Sequence, residues 1–233
     1  MRNRERLRPI SFPSRGTHPV QLEGLLHLLD GEGQRPAAVV CHPHPLGGGS
    51  MHNGLVTAIA WALADRGVMA LRFNFRGVGR SSGQHDSGRG EQADVAGAVD
   101  WLLAQSGVDP WRVSLVGYSF GAWVGLTHAQ TDHRVAATAA VGLVAWHRNV
   151  APSRSYSLSH LGQFNPGFMR SFRRPKLFVT GEDDQFVPPR AIRALVDQVP
   201  QPKELHILPG SDHFFSGREQ EVGKLVADFI AQS

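Results

Sequence analysis

The chain has 233 residues, of which 41% are hydrophobic, so it can bury the core of a single α/β domain. Its only cysteine, Cys41, excludes an intramolecular disulfide and gives no indication of an oxidising compartment. The net charge of +4 lies mostly in the first ten residues, which hold four arginines and one glutamate. The remainder has no basic stripe with interleaved aromatic residues, so we expect no nucleic-acid partner.

The N-terminal sequence MRNRERLRPI is basic and lacks the apolar stretch of a signal peptide, and no long apolar run follows it. We therefore interpret residues 1–15 as a mobile basic tail and residues 16–233 as one domain. We expect a cytoplasmic protein without membrane contacts. The sequence leaves open whether it is a monomer or a homodimer.

Apolar runs alternate with amphipathic segments along the rest of the chain. We predict strands at 21–29, 37–41, 68–75, 135–145, 176–180 and 204–208, and helices at 54–66, 91–105, 190–199 and 218–231. A further strand and helix lie between 112 and 129. This order predicts an α/β fold with a mostly parallel, twisted sheet of about eight strands and helices on both faces. Ligands of such sheets bind beyond the carboxyl ends of the strands.

The segment 112–129, RVSLVGYSFGAWVGLTHA, is the most informative part of the chain. An apolar strand passes through Gly117, Ser119 and Gly121 into a helix of small residues, as in a nucleophile elbow. Such a turn strains the backbone of Ser119 and leaves room only for glycine on either side. The Ser119 hydroxyl would then project from the sheet, and the amide of Phe120 would face a developing anion.

A second copy of the same pattern, GRSSG, occupies residues 79–83. It follows the turn-like RGVGR rather than a strand, and it leads into a polar segment rather than an apolar helix. We interpret it as a loop and assign the nucleophile to Ser119.

A serine nucleophile needs a base and a carboxylate that orients the base. His213 is the predicted base, because it follows the strand ELHIL and a Gly-Ser-Asp turn, late in the chain. The strand KLFV is followed by three adjacent acidic residues, Glu182, Asp183 and Asp184. We choose Asp184, which precedes an apolar segment and can turn inward, whereas Asp183 is better placed to cap the turn.

The segment 41–49, CHPHPLGGG, follows the second predicted strand and has the composition of an oxyanion loop, because its glycines let the backbone approach a substrate. Pro43 and Pro45 have no amide hydrogen, which leaves His44 or Leu46 as the donor beside Phe120. Metal binding by His42 and His44 is disfavoured, because no third ligand cluster accompanies them. We expect no metal and no cofactor.

Taken together, CHPHPLGGG, LRFNFRGVGRSSG, GYSFG, GEDDQFVP and SDHFF resemble the serine α/β-hydrolases, in particular the small bacterial members without a separate lid. The resemblance covers about residues 20–230. It implies a Ser119-Asp184-His213 triad, esterase-type activity on small acyl substrates and a short or absent lid. In size the chain also resembles the dienelactone-hydrolase-like group, but that group uses cysteine where this chain has Ser119.

The function expected from these residues is hydrolysis of a carboxylic ester through an acyl-enzyme. A thioesterase or small-amide hydrolase would use the same triad, and a ligand-binding relative without catalysis is the alternative from another class.

The segment 146–174 should border the site, because it leaves the end of a strand. It holds four residues that could line an acyl pocket or simply pack against the body: Phe164, Phe168, Met169 and Phe172. It also holds five arginines and no acidic residue: Arg148, Arg154, Arg170, Arg173 and Arg174. These form either a solvated basic face or a surface that attracts an anionic ester or thioester.

Overall fold

A computed structural model describes residues 5–29, 31, 33–144 and 166–233 of the chain. The described part forms one eight-stranded sheet in the order β1-β2-β4-β3-β5-β6-β7-β8. Strands β3 to β8 are parallel to one another, whereas β2 is antiparallel to both of its neighbours. The predicted α/β fold with a mostly parallel sheet is therefore confirmed. The strands are β1 (Glu5–Pro13), β2 (Gln21–Leu29), β3 (Arg35–Cys41), β4 (Met69–Phe73), β5 (Val108–Tyr118), β6 (Val135–Val141), β7 (Lys176–Gly181) and β8 (Lys203–Leu208).

Five α-helices cover the two faces of the sheet in the described residues. They are α1 (Gly54–Asp65), α2 (Arg89–Leu103), α3 (Phe120–Thr131), α4 (Pro189–Asp197) and α5 (Glu219–Gln232). Alternate residues of β3 serve the two faces: Val39 packs with residues of α2 and α3, whereas Val40 packs with residues of α1 and α5. Both valines are fully buried, which explains why this strand is a continuous apolar run.

Strand β1 contradicts the prediction that residues 1–15 form a mobile tail. Residues 5–13 pair with β2 in an antiparallel register that runs from Glu5 opposite Leu29 to Pro13 opposite Gln21. Phe12 is 1% exposed and packs edge to face on Phe73, with ring centroids 5.8 Å apart. The four arginines favour a mobile tail, but Ile10 and Phe12 alternate with exposed residues in the pattern of a strand.

The carboxyl ends of β3, β5, β7 and β8 lie along one edge of the sheet, because these strands are parallel. The loops that follow them therefore converge above the centre of the sheet, where ligands bind in open α/β sheets. Among the described residues, no helix combines the length and the apolar composition needed to cross a membrane.

Candidate active site

The turn between β5 and α3 has the geometry of a nucleophile elbow. Ser119 has φ 54° and ψ −114°, a conformation that a residue with a side chain rarely adopts. A Cβ at Gly117 would overlap the backbone of Gly121 and Ala122, and a Cβ at Gly121 would overlap the carbonyl groups of Cys41 and His42. Glycine is required at both positions, because the first turn of α3 packs directly on the ends of β5 and β3.

The loops after β5, β7 and β8 bring Ser119, Asp184 and His213 together. The distance from His213 Nε2 to Ser119 Oγ is 3.0 Å, and the distance from His213 Nδ1 to Asp184 Oδ2 is 2.7 Å. All three residues are buried, with exposures of 9% for Ser119, 7% for Asp184 and 4% for His213. The three side chains form a continuous hydrogen-bonded chain that is largely shielded from water.

The environment of Asp184 separates it from its two acidic neighbours. Its Oδ1 atom accepts hydrogen bonds from the amides of Phe186 at 2.8 Å and Val187 at 2.9 Å, which leaves Oδ2 to face the imidazole. Asp183 and Glu182 are both exposed, and Glu182 accepts a bond from the amide of Gly210. The inward turn before the apolar segment therefore places Asp184, and not its neighbours, beside the histidine.

Two further side chains hold the backbone of His213, and the sequence analysis did not identify them. The Tyr118 hydroxyl donates to the His213 carbonyl oxygen at 3.1 Å, and the His213 amide donates to Gln185 Oε1 at 3.1 Å. Burial raises the pKa of Tyr118 far above its usual value, with smaller contributions from Asp184 and Asp212, so the phenol remains a donor. Each of these residues is adjacent to a triad member in sequence, which is the one signal that could have identified it.

His42 fixes the loop that follows β3. Its Nε2 atom accepts a hydrogen bond from the Phe75 amide at 3.0 Å, and its Nδ1 atom lies 2.6 Å from the Pro43 carbonyl oxygen. These partners define the neutral tautomer with the proton on Nδ1. Burial of the ring lowers the pKa of His42 to about 4, despite the opposing hydrogen bond to Pro43. Both nitrogens are occupied, so His42 joins the loop to the end of β4 instead of offering a ligand atom.

The loop after β3 borders the amide of Phe120, the first residue of α3. The Phe120 ring lies 4.9 Å from the His44 ring, so the two segments are in contact. In the described part of the chain, no backbone acceptor pairs with the Phe120 amide. The Leu46 amide, by contrast, donates to His44 Nδ1 at 3.2 Å. This bond occupies the Leu46 amide, one of the two donors that the sequence analysis left open.

The competing GRSSG copy lies in the loop after β4. The hydroxyl of Ser81 donates to the Asn74 carbonyl oxygen at 2.7 Å and accepts from the Glu23 amide at 3.0 Å. Both partners are backbone groups that fasten this loop to β2 and the end of β4. The hydroxyl of Ser81 is therefore used to hold the loop.

The predicted acyl-pocket residues are only partly within the described structure. Phe164 lies outside the described residues, and Phe168 belongs to a short 3₁₀ turn at Pro166–Arg170. Met169 is fully buried and Phe172 is 5% exposed, and both belong to the core on the α2 and α3 side of the sheet. Their packing is that of core residues and presents almost no surface to a substrate.

The predicted basic face is also reduced by the structure. Arg148 and Arg154 lie outside the described residues. Arg174 donates to the carbonyl oxygens of Asp132 and Val135 at 2.7 Å each and also to that of Ala129, so it caps the end of α3. Arg170 donates to Gln198 Oε1 at 2.9 Å, and Arg173 is exposed. Arg174 therefore has a structural role and does not belong to a free anion-attracting surface.

The fold and the elbow at its centre place this chain among the serine hydrolases of the α/β-hydrolase superfamily. The chain belongs to the X-Pro dipeptidyl-peptidase family (S15 family), whose sequence pattern matches residues 30–164. An uncharacterized protein of Rickettsia prowazekii is 31% identical over 205 residues, which cover 84% of this chain and 78% of that protein.

Solved structures agree with this assignment. An alpha-beta serine hydrolase homologue from Coxiella burnetii is 32% identical and superposes with a TM-score of 0.74, covering 98% of this chain and 97% of that one. XC6422 from Xanthomonas campestris, described as an α/β serine hydrolase without a lid, is 28% identical with a TM-score of 0.73, covering 96% of this chain and 94% of that one.

Proposed function

We propose that the protein hydrolyses small carboxylic esters, with Ser119 as nucleophile, His213 as general base and Asp184 as the carboxylate that orients the base. The observation that carries this proposal is the buried chain of hydrogen bonds from Ser119 through His213 to Asp184, with separations of 3.0 and 2.7 Å. Because Asp184 Oδ2 accepts from Nδ1 of His213, it holds the imidazole in the tautomer whose Nε2 lone pair faces the serine hydroxyl.

The reaction follows from this tautomer. As Ser119 Oγ attacks the carbonyl carbon, its proton passes to His213 Nε2, and the carbonyl oxygen takes the negative charge. The imidazolium then returns the proton to the leaving oxygen, which departs as the alcohol and leaves an acyl-enzyme. A water molecule repeats the cycle: it gives a proton to Nε2 and attacks the acyl carbon, and Ser119 recovers its hydrogen as the acid leaves.

The oxyanion is proposed to bind to two backbone amides, those of Phe120 and His44. The Phe120 amide stands at the first position of α3, where it has no acceptor within the helix. The loop of His44 is held beside it by the buried ring of His42 and by the close packing of Gly121. Donors fixed before the substrate arrives stabilise the charge that develops during attack without further reorganisation.

The first experiment asks whether Ser119 is a reactive nucleophile. A fluorophosphonate probe should label the protein at one residue, and peptide mass mapping should place the label on Ser119. Ser119→Ala and His213→Ala should each lower kcat for ester hydrolysis by about 10⁴ to 10⁶-fold without loss of folding. Absence of labelling in the folded protein would instead support a ligand-binding protein without catalysis.

The second experiment asks which bond is cleaved, since the same triad serves thioesters and small amides. Ester, thioester and anilide substrates with one common acyl group should be compared by kcat/KM. An alanyl-prolyl anilide belongs in the same series, because the family's name refers to X-Pro dipeptides. We expect the oxygen ester to be preferred. A preference for the prolyl anilide would replace the esterase proposal with a peptidase.

A further inference from the structure

Two aromatic side chains border His213. Phe214 is 53% exposed, although it directly follows the buried His213. Its ring meets that of Phe186 edge to face, with centroids 5.8 Å apart and planes at 87°. The Phe186 ring lies 4.6 Å from the His213 ring, and the Phe214 ring lies 5.8 Å from it. Phe186 and Phe214 thus contact each other and the imidazole, and we call these two phenylalanines the aromatic rim.

Buried residues also pack against the imidazole of His213. Tyr118, which is 3% exposed, lies 5.8 Å from the imidazole, ring centroid to ring centroid. The backbone of Gly142 lies close to the histidine, since a Cβ added at this position would lie 3.2 Å from His213 Cε1. Tyr118 is buried whereas Phe214 is exposed, so the aromatic rim is the part of this aromatic surrounding that a substrate can reach.

The rim is held by the same loops that hold the triad. The Phe186 amide donates to Asp184 Oδ1 at 2.8 Å, so the position of Phe186 is tied to that of the carboxylate. Phe214 directly follows His213 in the chain. The His213 amide donates to Gln185, and the His213 carbonyl oxygen accepts from Tyr118. The aromatic rim is therefore fixed relative to the atom that donates the proton.

Proton transfer decides which part of an ester meets this rim. His213 Nε2 must lie within hydrogen-bond distance of the leaving oxygen when it gives up its proton. The carbonyl oxygen points the other way, toward the amide of Phe120. The group attached to the leaving oxygen therefore lies on the His213 side of Ser119, and the acyl group does not.

On the basis of the proposed esterase activity, we propose that Phe186 and Phe214 form the leaving-group subsite and that this subsite favours esters of aromatic alcohols. An aromatic ring packs edge to face or offset on other aromatic rings and gains more than its buried area alone provides. An exposed phenylalanine also releases water when such a ring covers it. A short aliphatic alcohol covers little of the same surface.

The test compares benzyl acetate with allyl acetate. The two esters share one acyl group, and their leaving alcohols have nearly the same acidity. In the wild-type protein, kcat/KM should be higher for the benzyl ester. Phe214→Ala should lower the benzyl-to-allyl ratio by about three- to tenfold, which corresponds to the loss of one aromatic contact. Phe214→Leu should retain part of the apolar contact, so its benzyl-to-allyl ratio should lie between those of the wild-type protein and Phe214→Ala.

Two controls accompany the variant. Trp111→Ala removes an aromatic residue that is 86% exposed near the start of β5, far along the strand from the elbow, and should leave the ratio unchanged. Allyl butyrate compared with allyl acetate reports acyl preference, which Phe214→Ala should not alter. Urea unfolding of each variant verifies that it is folded.

The outcomes separate the two proposals. An unchanged benzyl-to-allyl ratio in Phe214→Ala, with both esters still hydrolysed, overturns the subsite and leaves the esterase proposal standing. A change in the butyrate-to-acetate ratio instead assigns the aromatic rim to the acyl group and also overturns it. If the wild-type protein hydrolyses none of the esters, the proposed function fails and the subsite fails with it.

Discussion

Acidification from pH 8 to pH 5 should destabilise the protein through His42. The pKa of this buried imidazole is lowered from 6.5 to about 4, and the neutral ring accepts a hydrogen bond from the Phe75 amide. The unfolded chain therefore binds a proton at this residue at a higher pH than the folded protein does. Stability from His42 is complete above pH about 6.5 and is lost as the pH falls toward about 4.

The magnitude follows from the difference between the two pKa values. One pKa unit corresponds to about 1.4 kcal/mol, so the full loss from His42 is about 3 kcal/mol once the pH is below both values. Between pH 8 and pH 5 the loss is about 2 kcal/mol, because by pH 5 only the unfolded chain has bound the proton. Such a loss is a large part of the 5–15 kcal/mol that typically separates folded from unfolded domains.

The measurement is urea unfolding at pH 8, 7, 6 and 5, followed by tryptophan fluorescence. His42→Gln keeps an acceptor within reach of the Phe75 amide but cannot bind the proton, so its free energy of unfolding should fall by about 2 kcal/mol less over this range than that of the wild-type protein. His133→Gln removes an exposed histidine and serves as the control. Parallel curves for wild type and His42→Gln would refute the assignment of a neutral, hydrogen-bonded His42.

Two further predictions concern the residues around His213. Asp184→Asn should lower kcat by about 10⁴-fold, because an amide cannot hold the imidazole in the productive tautomer, whereas Asp183→Asn should change it only a few-fold. Equal, mild effects in steady-state ester hydrolysis would show that the carboxylate has been misassigned. Tyr118→Phe removes the buried hydrogen bond to the His213 carbonyl and should lower the free energy of unfolding by about 1–3 kcal/mol. It should also change kcat more than it changes KM. A variant with wild-type stability and kcat would show that this bond does not hold the base in place.

Most of the sheet could be predicted from the sequence, because apolar runs and alternating apolar residues indicate which side chains of a strand are buried. The elbow could also be predicted from the sequence, since any side chain at its two glycine positions would overlap the backbone of a tight strand-to-helix turn. The convergence of Ser119, Asp184 and His213 followed from chain order and from the rule that the ends of parallel strands meet at one edge.

What the sequence did not reveal depends on contacts between distant residues and backbone atoms. His42 meets an amide 33 residues away, and Tyr118 meets a carbonyl 95 residues away. No periodicity or local motif encodes such pairs. Phe172 illustrates a related difficulty, because a large apolar side chain in a connecting segment suits a pocket and a core equally well, and only the packing decides.

Strand β1 also determines how this protein can be shortened. The basic composition of the first residues suggests a dispensable extension, but removing them would uncover the full length of β2. The fully buried Leu22 and Leu26 would then lie beside a row of unpaired amides and carbonyls, and Phe73 would lose its contact with Phe12. An apolar edge of this kind pairs readily with the same edge of another molecule. A chain that starts at residue 16 should therefore aggregate. The N-terminal strand prevents self-association because it covers the edge of β2.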